Sequence, residues 1–74
     1  FIIMEKYKNT KSSITGYEIK NDSILIEFKG GSRYEYNYKI TGQLIVETMK
    51  VLAKKGEGLT SYIHKNAKSN YIKK

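Results

Sequence analysis

His64 is the single histidine of the chain, and there is no cysteine. A thiolate nucleophile is therefore excluded, and a lone histidine reads as a solvated or packed side chain. Glu27 and Glu35 form the one carboxylate pair that strand pairing could set face to face. Two carboxylates that close raise one pKa and can divide acid and base work between them. With Lys29 and Arg33 beside them on a hydrated face, they read instead as a screened surface pair. No His, Asp or Glu spacing suits a metal, and Gly30-Gly31 matches a hairpin better than a phosphate cradle. These residues predict a domain with no catalytic site, cofactor, metal or small-molecule substrate.

The remaining chemistry lies in the lysines and tyrosines. The net charge is +7, with Arg33 the only arginine among the basic residues. Lys6, Lys8 and Lys11 against Glu5 leave +2 in residues 1–11, and residues 12–53 are balanced. Lys54, Lys55, Lys65, Lys68, Lys73 and Lys74 against Glu57 leave +5 in residues 54–74. A basic end suits contact with phosphates, and lysine on a mobile stem suits contact without regard to sequence. The near-absence of arginine argues against specific base readout. The abundance of Lys, Ile, Asn and Tyr together also fits an AT-rich genome, which would leave the same lysines as a solvated surface. Tyr34, Tyr36 and Tyr38 could stack bases if exposed, for about 1–3 kcal/mol each; whether they are exposed depends on the elements that carry them.

Alternation from Ser13 onward predicts three half-buried strands over residues 13–20, 23–29 and 33–40. Asn21-Asp22 reads as a two-residue hairpin, since both residues tolerate positive φ. It pairs Ile19 with Ile24, Tyr17 with Ile26 and Thr15 with Phe28. A three-residue Gly-Gly-Ser loop then pairs Phe28 with Tyr34, Ile26 with Tyr36 and Ile24 with Tyr38. All these side chains share one face, which places the tyrosine row inward as core. The other face carries mostly charged residues, with Ile14 and Leu25 as apolar exceptions. Thr41 reads as the N-cap of a helix over residues 42–55. Its expected apolar stripe is Ile45, Met49 and Leu52 with Leu44, Thr48 and Val51, while Glu47, Lys50 and Lys54 point away. Gly56 ends it, and Lys54 and Lys55 complement its dipole. A shorter helix over residues 60–68 would bury Leu59, Tyr62, Ile63 and Ala67 and expose Lys65 and Lys68.

The expected architecture is thus α+β: a three-stranded antiparallel β-meander, one main helix on one face, and a short C-terminal helix. A chain of 74 residues supports a single core. Residues 1–11 read as a flexible arm, 12–72 as the domain and 73–74 as a basic tail. Phe1 is not an initiator, so the natural start is expected at Met4, or the chain is a piece of a longer one. No apolar run approaches membrane-spanning length, and lack of cysteine fits a reducing, cytoplasmic compartment.

Ser13-Ile14, Gly16-Tyr17, Ser23-Ile24-Leu25-Ile26-Glu27-Phe28, Gly31 and Tyr34-Glu35-Tyr36 occur in an order that resembles the KTSC domain. Ala53 with Gly56 or Gly58, then Tyr62-Ile63, are similar to its later landmarks. That family is found at the C-terminus of some lysyl-tRNA synthetases and as free-standing small proteins. The resemblance covers roughly residues 12–72. This chain departs from it in having Ile40-Thr41 where the family tends to carry Val-Pro, and Lys54 or Lys55 where it has a small polar residue. The resemblance implies an RNA-associated module, through the family's attachment to a tRNA-charging enzyme.

Two functions from different classes follow. The first is sequence-tolerant binding of RNA, tRNA-like, through Lys54, Lys55, His64, Lys65, Lys68, Lys73 and Lys74, with Tyr34 and Tyr36 in the core. The second is a protein-interaction or oligomerisation module with no nucleic-acid role. There, Ile14 and Leu25 on the outer sheet face, or an uncovered strand edge, would meet a second copy or another protein.

Overall fold

The structure, a computed structural model, describes residues 4–74; the question of Phe1–Ile3 lies outside the described residues. Its elements are β1 (Glu5–Lys6), β2 (Ile14–Ile19), β3 (Ser23–Phe28), β4 (Arg33–Asn37), α1 (Gln43–Lys55), α2 (Leu59–Tyr62) and β5 (Ile72–Lys73). A π-helical stretch, Ile63–Ala67, continues α2. The fold is α+β with one antiparallel sheet in the order β1-β2-β3-β4-β5. The expected three strands are its centre, and the sheet has five strands because both chain ends add an edge.

β2 and β3 pair Ile19 with Ile24 and Tyr17 with Ile26, as the alternation predicts. The Lys20 amide donates to the Ser23 carbonyl across the two-residue turn. Neither Asn21 nor Asp22 takes a positive φ, so the turn does not use the property that suggested it. Near Ile14 the ladder bulges. Ile14 rather than Thr15 faces Phe28. The extra residue turns polar Thr15 to solvent and drives Ile14 into the core, so Ile14 is not an outer-face residue.

Between β3 and β4 the register is two residues from the expected one: Tyr34 pairs with Ile26 and Tyr36 with Ile24. Gly30 and Gly31 both take positive φ, 92° and 93°, and the Phe28 amide donates to the Ser32 carbonyl. The loop therefore closes one residue earlier than a Gly-Gly-Ser loop would. A slip of two preserves which side each residue faces, so the tyrosine row keeps its inward face. Tyr36 is 1 % exposed; Tyr34 and Tyr38 are half-buried against the same core.

α1 lies on this face but is rotated from the expected stripe. Val46, Met49, Lys50 and Ala53 are buried, whereas Leu44 is 80 % and Val51 64 % exposed. Lys50 turns inward because its long stem can bury along apolar surface while its ammonium reaches polar groups at the rim. Thr41 is not the cap. Gly42 occupies that position with φ 107°, and the Thr41 hydroxyl donates to the Asn70 carbonyl instead. Gly56 ends α1 in the left-handed conformation, donating its amide to the Leu52 carbonyl.

Leu59, Ile63 and Ala67 recur every fourth residue and are all buried against α1 and the sheet. The expected arm is built into the fold over Glu5–Tyr7, while residues 8–11 are exposed. Glu5 and Lys6 pair with Tyr17 and Gly16, and Tyr7 is 2 % exposed, its hydroxyl accepting the Leu59 amide. Gly16 admits this close approach, since a Cβ there would lie 3.0 Å from the Glu5 carbonyl oxygen. The expected basic tail likewise belongs to the sheet. Lys73 stands opposite Tyr34, and the Lys74 amide donates to the Arg33 carbonyl. Leu25 is buried on the outer face, leaving neither of the apolar exceptions there open as a contact.

Candidate functional site

Two corners of the helix-bearing face carry a β4-side tyrosine with a lysine close by. At the first, the Tyr38 hydroxyl lies 3.0 Å from the Asn21 carbonyl and closer still to a Glu47 carboxylate oxygen. A hydroxyl has one proton, and the nearer, charged acceptor takes it. Lys50 Nζ donates to the Asn21 carbonyl at 3.0 Å and pairs with Glu47 at 2.9 Å. It also stands 5.5 Å from the Tyr38 ring centre. The bond from Tyr38, then the contacts of Lys50, lower the Glu47 carboxyl below its ordinary value, and the same bond raises the Tyr38 hydroxyl above its own. The Tyr38, Glu47 and Lys50 side chains engage one another and the Asn21 carbonyl, which ties α1 to the β2–β3 turn.

The second corner is an open cleft of about 340 Å³. Phe28, Tyr34, Tyr36, Ile63, His64, Lys68 and Tyr71 line it. Tyr71 stacks on Tyr34 with ring centres 4.1 Å apart and 14° between planes. Tyr36 meets Tyr71 edge-on at 5.6 Å, and Phe28 tilts against Tyr34 at 5.2 Å. Burial first, then the neighbouring Tyr71 and Tyr34, push the Tyr36 hydroxyl far above its ordinary value, so it is neutral throughout the physiological range. The Thr41 bond to Asn70 anchors the chain just before Tyr71 and so fixes that ring in the stack. Lys68 closes the π-helical stretch, its amide donating to the Ile63 carbonyl at 2.7 Å. It does so with φ 50° and ψ −122°, and is the only non-glycine with positive φ among the described residues.

The residues singled out in the sequence do not form one surface. His64 and Lys68 meet Tyr34 and Tyr36 around the cleft. Lys73, opposite Tyr34 in the ladder, shares its face. Lys74 alternates to the other face and pairs with Glu35 at 3.6 Å. Lys55 pairs with Glu57 at 3.5 Å at the far end of α1, where the Lys8 side chain packs over Gly56. Lys54 is exposed in that same turn. Lys65 is exposed on the π-helical stretch. Among the described residues Lys54, Lys65, Lys68 and Lys73 form no ion pair, a state they share with most lysines of the chain, whereas Glu27, Glu35, Glu47 and Glu57 are each taken by a base elsewhere. Glu27 and Glu35 are not opposed: Glu27 faces Arg33 and pairs with it at 3.2 Å, and Glu35 faces Leu25.

Phe28 and Tyr71 were not among the sequence candidates for this site. Tyr71 lies beyond the periodic segments, where a single aromatic carries no pattern. No family model, curated protein or solved structure matches the chain, so the resemblance to the KTSC domain rests on the residues quoted for it. No helix among the described residues is long and apolar enough to cross a membrane.

Proposed function

We propose that this domain is a non-catalytic binding module that holds RNA weakly and with little regard to sequence through its C-terminal basic residues. The observation that carries the reading is an aromatic cleft lined by His64 and Lys68 and by no carboxylate, with Lys73 on the face of Tyr34 and neither lysine in an ion pair; Lys65 is exposed on the same π-helical stretch. Lysines that neutralise phosphates release the cations condensed on the nucleic acid, which makes affinity fall with salt. Lys54 and Lys55 add a second, separate basic end, and Lys74 is engaged with Glu35. The resemblance to a domain attached to a tRNA-charging enzyme agrees with RNA as the partner.

Titration of a labelled single-stranded RNA at several salt concentrations tests this. Micromolar or weaker affinity is expected, with a log–log salt slope of about −2 for three phosphates contacted on a single strand. Changing Lys65, Lys68 and Lys73 together to Gln should flatten that slope. Absence of salt-sensitive binding at low ionic strength rejects the reading.

The exposed Leu44 and Val51, seven residues apart and so on one side of α1, favour a second reading: a contact surface for another protein or a second copy. Light scattering at high concentration separates the two. A stable dimer that ignores RNA and is abolished by Val51→Lys supports the second.

A further inference from the structure

We infer that the Phe28–Tyr34–Tyr71 cleft seats one unpaired base of a single-stranded nucleic acid, with the adjoining phosphate against Lys68 and His64. This rests on the RNA-binding reading and names the form of RNA it requires. Tyr34 and Tyr71 are already stacked, and Tyr36 and Phe28 brace them edge-on and tilted. Such a pair is a preformed platform, and a base entering the cleft extends a stack that needs no rearrangement. The volume of about 340 Å³ falls at the small end of the roughly 300–1,000 Å³ usual for ligand pockets, which suits one planar ring system.

The charge around the rings selects the occupant. His64 and Lys68 stand in the lining, Lys73 shares the face of Tyr34, and no carboxylate lines the cleft. Flat apolar walls beneath a cationic rim complement a base attached to a phosphate. An apolar peptide side chain would make no use of that rim. Lys68 holds a backbone conformation that disfavours any side chain, and strain of this kind concentrates where a ligand is clamped. A base within a duplex keeps both faces covered by its neighbours, so the cleft reaches bases only where a strand is unpaired.

The test is a titration of the full chain at low salt with three oligonucleotides of equal length: single-stranded RNA, its duplex, and a single strand with every base removed. Single-stranded RNA should bind tighter than either of the others by about 5- to 150-fold, the range for loss of one base stack. Tyr71→Leu, checked for folding by circular dichroism, should bring single-stranded RNA down to the abasic level while leaving the salt slope unchanged. Should this variant fail to fold, the comparison on the native chain still decides. Equal affinity for the three with a normal salt slope overturns the cleft assignment and leaves the lysine contact standing. No binding to any of them overturns both. An apolar peptide that displaces no RNA yet binds the cleft, seen as loss of its effect in Tyr71→Leu, would assign the cleft to a protein.

Discussion

The Tyr38 corner and the Tyr34 corner are built from the same materials and end in opposite states. Both set a half-buried β4-side ring beneath helical chain, with lysine nearby. At Tyr38 the lysine is 8 % exposed, and it and Glu47 are partnered within the fold. At Tyr34 the rings partner one another, but Lys68 and Lys73 have no acidic neighbour. A satisfied polar cluster adds stability and offers nothing to a ligand. An unsatisfied cationic rim around rings offers an outside molecule what the fold itself does not use. The contrast marks Lys50 as structural and is the ground for proposing that Lys68 serves binding.

Exchanging the two lysines should break the comparison most visibly. Lys50→Ala removes a charge-assisted hydrogen bond and a buried stem, and is expected to destabilise by about 2 kcal/mol without altering RNA affinity. Lys68→Gly relieves a positive φ and is expected to stabilise by about 1 kcal/mol while weakening RNA binding. Urea denaturation alongside RNA titration measures both. If Lys68→Gly loses stability, the residue is structural and the contrast fails.

A smaller effect sharpens the first corner. The Glu47 carboxyl is held below its ordinary value chiefly by Tyr38, so its contribution is complete above the usual carboxylate range and is lost as pH falls through the lowered value. The Tyr38 hydroxyl is held above its ordinary 10.0, so its contribution is complete below that value and is lost as pH rises through the raised one. Native protein should therefore exceed Tyr38→Phe in stability between these limits, and the gap should close at both ends. A gap that does not vary with pH would show that the hydroxyl bond contributes nothing. The ends of the window are the informative part, because Glu47 is well hydrated and the effect is small.

Much of this scaffold is legible in the sequence. Alternation identified β2, β3 and β4, and parity kept the tyrosine row inward even though the β3–β4 register moved by two. Leu59, Ile63 and Ala67 identified the buried side of the second helical segment. What escaped has definite physical origins. β1 and β5 are two residues long and too short to show a period. The rotation of α1 could not be read because Lys50 buries a stem that composition counts as polar, while Leu44 and Val51 are left in water. The cleft escaped because Phe28 and Tyr71 are brought together by a turn-and-return of the chain through Thr41 and Asn70. Two of the candidate cations, His64 and Lys68, do line it; Lys54, Lys55 and Lys74 belong to other surfaces.

The most direct test is a residue-by-residue map of amide chemical shifts as single-stranded RNA is added at low salt. Changes are expected on Phe28, Tyr34, His64, Lys68, Tyr71 and Lys73, with Asn21, Tyr38 and Lys50 unmoved. Shifts confined to Lys54, Lys55 and Lys8, or to Leu44 and Val51, would contradict binding at the Phe28–Tyr34–Tyr71 cleft.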